Sequence, residues 1–342
     1  MLGKKGIYLI TDESTRLRFT GYSSTDGFLI FDDSTRYFVI DARYYYAAER
    51  ALKKSDVKVV KGSFDEAADI IRNSGKTELY VDFSKTTMEE GQKLAFLGLK
   101  LKDCREEVVE ARILKTEAEL KLIRRACSIA ESSFKAIIPE IKEGVTESYL
   151  AALLEAEFKK RGAEKPSFDT IVAFGSNAAV PHHQTGETKL KKNSVVLFDF
   201  GCKYKGYCSD ITRTIFYGEP DKAFKSAYKA VNAAFDAAFS GIKEGMSGRD
   251  ADALARSYLK KRGLEKFFTH SLGHGIGVDI HEEPSLSPRG EKQLLSNMVF
   301  SIEPGVYIDG KFGIRIENTV AIVNGKVESF VKLGRKLKRI KI

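Results

Sequence analysis

The sequence predicts a two-part chain: a small α/β unit at the N-terminus, then a larger α+β unit built by internal duplication. Three observations predict this. Residues 1 to about 110 alternate short strand-like runs with helical stretches. A capping box, Thr116-Glu117-Ala118-Glu119, then opens a long amphipathic segment. Beyond it, Ile141-Lys142-Glu143-Gly144-Val145-Thr146 … Lys159-Lys160-Arg161-Gly162 recurs as Ile242-Lys243-Glu244-Gly245-Met246-Ser247 … Lys260-Lys261-Arg262-Gly263. The offset is a constant 101 residues without a gap, and 10 of the 22 aligned positions are identical.

In chain order, 27–31 and 37–40 read as strands paired around the polar turn Asp32-Asp33-Ser34. A helix follows near 45–53, then strands at 57–60 and 78–81. The capping box starts a helix to about residue 138, whose Leu120, Ile123, Ala126, Cys127 and Ala130 recur at helical spacing. The domain boundary falls just before it, which divides the chain into 1–112 and 113–342. Each copy of the repeat reads as a turn, a helix and then strands ending in one acidic hairpin. The two halves are expected about a pseudo-twofold axis, with two carboxylates from each meeting between them.

The 342 residues, 43% hydrophobic and 30% charged, are ordinary for a globular protein. No apolar run approaches the roughly 18 residues that span a membrane. The first six residues show no secretory h-region or cleavage site, so a cytoplasmic location is expected. Of the four cysteines, Cys202 and Cys208 lie near each other across the first hairpin. A cross-strand disulfide is open there, and a reducing cytosol favours free thiols. The net charge of +9 is concentrated in 332–342, which holds six basic residues and no acid. That segment reads as a solvated terminus. No nucleic-acid-binding pattern accompanies it, so neither nucleic acid nor membrane is expected as a partner.

The chemistry lies in two hairpins, Val195-Val196-Leu197-Phe198-Asp199 … Asp210-Ile211-Thr212 and Val299-Phe300-Ser301-Ile302-Glu303 … Glu317-Asn318-Thr319. A carboxylate buried in an apolar strand costs several kcal/mol, and four together repel unless a cation lies between them. Asp199 and Asp210 straddle a turn near Tyr204-Lys205. Glu303 and Glu317 straddle Asp309-Gly310, a strong hairpin dipeptide. Period-two alternation places Thr212 beside Asp210, Tyr307 beside Glu303 and Arg315 beside Glu317, where they can orient the carboxylates. All five histidines fall in two short segments. His274, within Ser271-Leu272-Gly273-His274-Gly275-Ile276-Gly277, is the natural nitrogen ligand. His182 and His281 suit proton handling or substrate contact. His183 and His270 read equally well as bystanders. Four carboxylates and one imidazole favour a pair of Mn²⁺, Co²⁺ or Zn²⁺ ions over a thiolate site, and hydrolysis is the chemistry such a pair performs.

The order Asp, Asp eleven residues on, His, Glu, Glu, in the contexts FDFG, SDITRT, HSLGHGIGVDIHEEP, SIEPGVY and GIRIEN, resembles the pita-bread metallopeptidases. Arg18-Phe19-Thr20-Gly21-Tyr22 and Asp41-Ala42-Arg43-Tyr44 resemble the creatinase-like N-terminal domain of their Xaa-Pro branch, aminopeptidase P and prolidase. The resemblance implies a creatinase-like domain at 1–112 and a pita-bread catalytic domain at 113–342. It implies two divalent metal ions per chain, Mn or Co ahead of Zn, held by Asp199, Asp210, His274, Glu303 and Glu317, with Asp210 and Glu317 bridging. Glu303 would move the proton for a metal-bridging hydroxide, His182 and His281 would contact substrate and oxyanion, and Arg315, Tyr307 and Thr212 would buttress the ligands. The implied substrate is a proline-containing peptide or dipeptide, and the implied assembly a homodimer. Methionine aminopeptidase-like activity and a non-catalytic peptide-binding role are the alternatives.

Overall fold

A computed structural model describes residues 6–340. Most of the N-terminal stretch read for a leader, and the last two residues of the basic tail, lie outside the described residues. The chain forms two compact units, Met1–Arg112 and Ile113–Ile342.

The first unit contains β1 (Ile7–Ile10), α1 (Glu13–Thr20), β2 (Phe28–Phe31), β3 (Arg36–Ile40), α2 (Ala42–Leu52), β4 (Val57–Lys61), α3 (Phe64–Arg72), β5 (Glu78–Val81), α4 (Met88–Ala95), β6 (Lys100–Asp103) and α5 (Arg105–Ile113). Its six strands form one sheet in the order β4-β3-β2-β1-β5-β6. Tyr8, Ile10, Leu29, Phe31, Phe38 and Ile40 pack into one core cluster, and Ile7, Leu9, Ile30, Val39, Leu79 and Val81 into another. The sheet is therefore buried on both faces, so its central strands read as unbroken apolar runs rather than alternating ones. The helix expected near 45–53 begins earlier, at Ala42, because the Asp41 carboxylate caps it by accepting from the Arg43 N–H at 2.8 Å.

The second unit begins with α6 (Glu117–Ile137). Its capping box is formed: Thr116 Oγ1 accepts from the Glu119 N–H, and the Glu119 carboxylate accepts from the Thr116 N–H at 2.8 Å. Then come α7 (Glu147–Lys160), β7 (Lys165–Pro166), β8 (Ile171–Phe174), β9 (Ser194–Phe200), β10 (Cys202–Tyr204), β11 (Tyr207–Cys208) and β12 (Ile211–Tyr217). The second half repeats the plan with α8 (Lys222–Gly241), α9 (Gly248–Lys260), β13 (Gly273–Gly275), β14 (Glu282–Leu286), β15 (Val299–Ile302), β16 (Gly305–Ile308), β17 (Phe312–Arg315) and β18 (Asn318–Val323). β19 (Lys326–Ser329) and β20 (Arg339–Ile340) close the chain. The halves supply a sheet β20-β12-β9-β8 and a sheet β14-β13-β15-β18-β19.

The duplication is visible in the backbone. Thr146 bridges to Lys189 as Ser247 bridges to Gln293. The Gly144 N–H donates to Leu190 O as the Gly245 N–H donates to Leu294 O, at 2.9 and 2.7 Å. Asn193 and Asn297 precede the two central strands with matching positive φ of 55° and 69°. Alanines 227, 230, 234 and 238 of α8 and 251 and 255 of α9 are buried in one cluster. Side chains this small let helices approach closely, and the neighbouring Phe224, Val231 and Phe235 each contribute about 1.5–3 kcal/mol by burial.

Two expectations need correction or resolution. All four cysteines are free and buried, so no 202–208 disulfide forms. The basic tail is not a solvated terminus through residue 340. β20 pairs in parallel with β12, the Glu131 carboxylate accepts the Lys332 and Leu333 N–H groups, and Phe330 and Val331 are buried. Lys332, Lys336, Lys338 and Arg339 stay exposed while the backbone satisfies an open sheet edge.

Candidate metal centre

Asp199 lies near the end of β9 and Asp210 just before β12. The strand register sets Asp199 opposite Thr212, not opposite Asp210. Glu303 follows β15 and Glu317 precedes β18, in which Ile302 pairs with Asn318. The expected matching of the hairpins therefore holds only in part. Each half supplies two acids, but Asp210 sits two residues out of step with Glu317: Thr212 is the residue opposite Asp199, whereas Glu317 continues the Ile302–Asn318 pairing opposite Glu303.

His274 enters on β13 between β14 and β15. Its flanking glycines are required by close strand approach: a Cβ on Gly273 would lie 2.0 Å from Ser301 O, and one on Gly275 2.1 Å from Glu283 O. The His274 Nδ1–H donates to Gly275 O at 3.0 Å, which leaves the Nε2 lone pair free. Nε2 faces Asp210 Oδ2 at 3.5 Å and Glu303 Oε1 at 3.4 Å. Ligand atoms of Asp210, His274 and Glu317 all lie within 4.8 Å of one another. Asp199 Oδ1, Asp210 Oδ1 and Glu317 Oε1 are buried without a hydrogen-bond donor. Buried carboxylate oxygens lacking donors are costly, and in this cluster they are the atoms a divalent cation would satisfy.

Without a cation the acids resist ionisation. Burial, then Glu317, Asp199 and Glu303, hold the Asp210 carboxyl well above the usual carboxylate range. Burial, then Glu303 and Asp199, do the same to Glu317. Burial, reinforced by Asp199 and opposed by Arg315, pushes Glu303 up to about 7. Burial lowers His274, favouring the neutral ligand form.

Arg315, Tyr307 and Thr212 contact the acids or one another. Arg315 Nη2 donates to Asp199 Oδ2 at 2.6 Å, Nε to Thr212 Oγ1 at 3.0 Å and Nη1 to Tyr307 Oη at 2.7 Å. Thr212 Oγ1 in turn donates to Glu317 Oε2 at 2.7 Å. His182 and His281 line the same cavity of about 780 Å³ as the acids, and the His281 ring meets the His274 ring edge-on at 4.4 Å.

His270 is no bystander. Its Nδ1–H donates to Ser271 O at 2.8 Å, so its Nε2 accepts from the Tyr307 O–H at 2.9 Å. Burial, then Arg315, push its pKa down to about 3, which keeps the ring neutral, while the Ser271 carbonyl sets the tautomer. His183 turns from the metal cluster to Glu147, at 2.9 Å. Glu147 was not singled out from the sequence. Its only signal there was an acid directly after Thr146, where the second copy of the repeat has Gly248.

The profile of Metallopeptidase family M24 matches residues 121–324, and that of the Creatinase/Prolidase N-terminal domain matches 5–114. An Xaa-Pro dipeptidase from Pyrococcus furiosus is 36% identical over 322 residues, covering 93% of this chain and 91% of that one. The solved Xaa-Pro dipeptidase from Bacillus anthracis superposes with a TM-score of 0.94 at 34% identity, covering 98% and 95% of the two chains. An X-Pro aminopeptidase from Thermotoga maritima gives 0.92 at 32%, covering 98% of each.

Proposed function

From the premise that the chain belongs to metallopeptidase family M24, we propose that it is a metal-dependent peptidase cleaving the Xaa-Pro bond, in dipeptides or at peptide N-termini. In this reading 1–112 is the creatinase-like domain and 113–342 the pita-bread catalytic domain. The carrying observation is the cluster of Asp210, His274 and Glu317, whose ligand atoms lie within 4.8 Å of one another, together with the donor-less buried oxygens on Asp199, Asp210 and Glu317 in the same cavity. Four carboxylates and one guanidinium leave the pocket three negative charges when ionised. One divalent ion leaves one negative charge uncompensated and two exceed the charge by one, so a pair suits a site that must also hold an anionic nucleophile. We assign Asp199, Asp210, His274, Glu303 and Glu317 as the ligands, with Mn or Co ahead of Zn.

Bound divalent ions would polarise the scissile carbonyl and acidify a water. The protein's own groups do the rest. Glu303 Oε1 is fixed by the Ser301 hydroxyl at 3.0 Å, which leaves Oε2 to take a proton and return it to the leaving prolyl nitrogen. His182 and His281, on the cavity wall, are assigned to substrate contact and to the developing oxyanion. Phe168, Ile171 and Ile280 give the wall apolar area for a pyrrolidine ring, whose amide nitrogen carries no N–H.

A homodimer belongs to this reading. Phe83, Met88 and Phe96 of the first unit stand 51%, 84% and 85% exposed, apolar surface that a second copy would cover. The free thiols support the cytoplasm, and among the described residues no helix is long and apolar enough to cross a membrane.

Hydrolysis of Ala-Pro and Ala-Pro-Ala with Mn²⁺ or Co²⁺ tests the proposal and separates the prolidase from the aminopeptidase P preference. No turnover of either by folded, metal-loaded protein sinks it. Turnover of Met-Ala-Ser instead favours the methionine branch.

A further inference from the structure

Glu147 is the first residue of α7 and is fully buried, yet among the described residues no Lys or Arg pairs with it. Its two oxygens serve one loop, the connection from β8 to β9. Oε1 accepts the Phe174 N–H and the Asn177 Nδ2–H, each at 2.8 Å. Oε2 meets His183 Nε2 at 2.9 Å and accepts the Gly186 N–H at 3.2 Å. A carboxylate holding this many donors is a strong local anchor. The loop carries Pro181, His182 and Gln184 into the wall of the metal-bearing cavity. It is held from inside as well. Arg315 Nη1 donates to Pro181 O at 3.3 Å, and Ala178 O lies so close to Gly313 that a Cβ there would be 1.7 Å away.

The second half solves the same problem with a different residue. Gly248 aligns with Glu147, and a Cβ on it would lie only 2.0 Å from Ser285 O, so no side chain fits. One helical turn on, the buried Asp252 accepts the Leu272 N–H at 3.0 Å and pairs with Arg256 at 2.7 Å. The Arg256 guanidinium donates to Phe268 O at 3.1 Å and to His270 O at 2.9 Å. Both short helices of the duplicated unit thus dock a histidine-bearing segment through a buried acid, from positions that do not align.

We propose that Glu147 is a positioning residue: it holds the β8–β9 loop so that His182 faces the reacting centre, as Asp252 with Arg256 holds the segment bearing His270. The catalytic consequence rests on the peptidase reading; the loop-holding role does not. Glu147→Gln keeps the volume but turns an amide N–H₂ toward groups that are themselves donors.

The test is a double-mutant cycle. Glu147→Gln is expected to lower kcat/KM for Ala-Pro about tenfold, within the coupling range of interacting neighbours, with metal content unchanged. In a His182→Ala background the same change is expected to cost less than about twofold, because the residue it acts through is gone. An equal loss in both backgrounds, or wild-type rates from Glu147→Gln, overturns the proposal; a general loss of folded enzyme produces the former. If Glu147→Gln does not fold, Asn177→Ala removes one of the loop's donors and is read in the same cycle. Amide exchange judges the anchor without activity: the Phe174 and Gly186 amides are expected to exchange faster in the variant, and unchanged exchange overturns the anchor. Wild-type protein that cleaves neither peptide defeats the peptidase reading and leaves exchange to decide.

Discussion

Asp210 and Arg315 occupy the same position in the two copies of the duplicated unit. Thr319 Oγ1 accepts the Asp210 N–H at 3.0 Å and donates to Asp210 O at 2.8 Å. Thr214 Oγ1 does the same for Arg315, at 3.1 and 2.9 Å. In this register Thr212 matches Glu317 and Asp199 matches Glu303. One half therefore offers a cation and the other an anion at equivalent points of one pocket. The pseudo-twofold axis relates the strands and not the charges.

Arg315 is thus the built-in counter-charge of Asp199. Arg315→Met leaves Asp199 buried and unpaired, and breaking a buried pair costs roughly 3–5 kcal/mol. That loss is expected in the metal-free protein by urea unfolding with chelator present. Saturating Mn²⁺ supplies Asp199 with another cation and is expected to shrink the difference. An equal loss in both conditions contradicts the assignment of Asp199 as a ligand.

Asp210 Oδ2 faces His274 at 3.5 Å, the three ligand groups of Asp210, His274 and Glu317 lie within 4.8 Å of one another, and Asp210 Oδ1 has no donor, so both its oxygens are available to bridge two ions. Asp210→Asn keeps the shape and removes the charge. Most activity and at least one bound metal per chain are expected to go. Elemental analysis showing unchanged metal content rules out the bridging assignment.

Glu303 gives a pH prediction with a definite sign. Its folded, metal-free pKa is raised from an ordinary 4.5 to about 7. The folded chain therefore binds this proton more tightly than the unfolded chain. The associated stability is fully present below about 4.5 and is lost as pH rises through about 7. His270, lowered from 6.5 to about 3, runs oppositely and loses stability as pH falls through that window. The comparison with Glu303→Gln cancels the His270 contribution. Metal-free wild type is expected to weaken relative to the variant across pH 4.5 to 7, by up to about 3 kcal/mol, and to hold a constant offset elsewhere. Thermal melts in chelator read this directly, and a flat difference across that range refutes it.

What could be read from residues alone was what local rules govern. Thr116 and Glu119 announce α6 by a capping box, Asp309-Gly310 marks the β16–β17 turn, and acids set among apolar residues point to the cluster of Asp210, His274 and Glu317 that could hold a metal. The constant offset from Ile141-Lys142-Glu143-Gly144 to its copy revealed two halves. What escaped depends on contacts between distant segments. Nothing local ties His270 to Tyr307, 37 residues away, or Glu147 to Gly186, 39 residues on. That Thr212 and not Asp210 lies opposite Asp199 is also invisible until strands pair. The tail 332–342 reads as solvated because its side chains are charged, while its backbone through residue 340 docks.

The tail's attachment point carries the last prediction. Arg213, beside Thr212 on β12, is buried and donates to Thr212 O at 2.8 Å, Glu317 O at 2.6 Å and Asn318 Oδ1 at 2.8 Å. The same guanidinium donates to Leu333 O at 2.6 Å and Gly334 O at 3.2 Å. One side chain therefore joins the tail to the backbone of a proposed metal ligand. Arg213→Met fills similar space and supplies none of these donors. Buried carbonyls left without donors cost about 1–3 kcal/mol each, so a stability loss of at least about 3 kcal/mol is expected even if some find water. Because Glu317 is held through its own carbonyl, weaker Mn²⁺ binding by titration calorimetry is expected as well, and faster tryptic cleavage at Lys332 and Lys336. Wild-type metal affinity in a variant whose tail is cleaved faster would show that the tail is stapled to the sheet without bracing the metal centre.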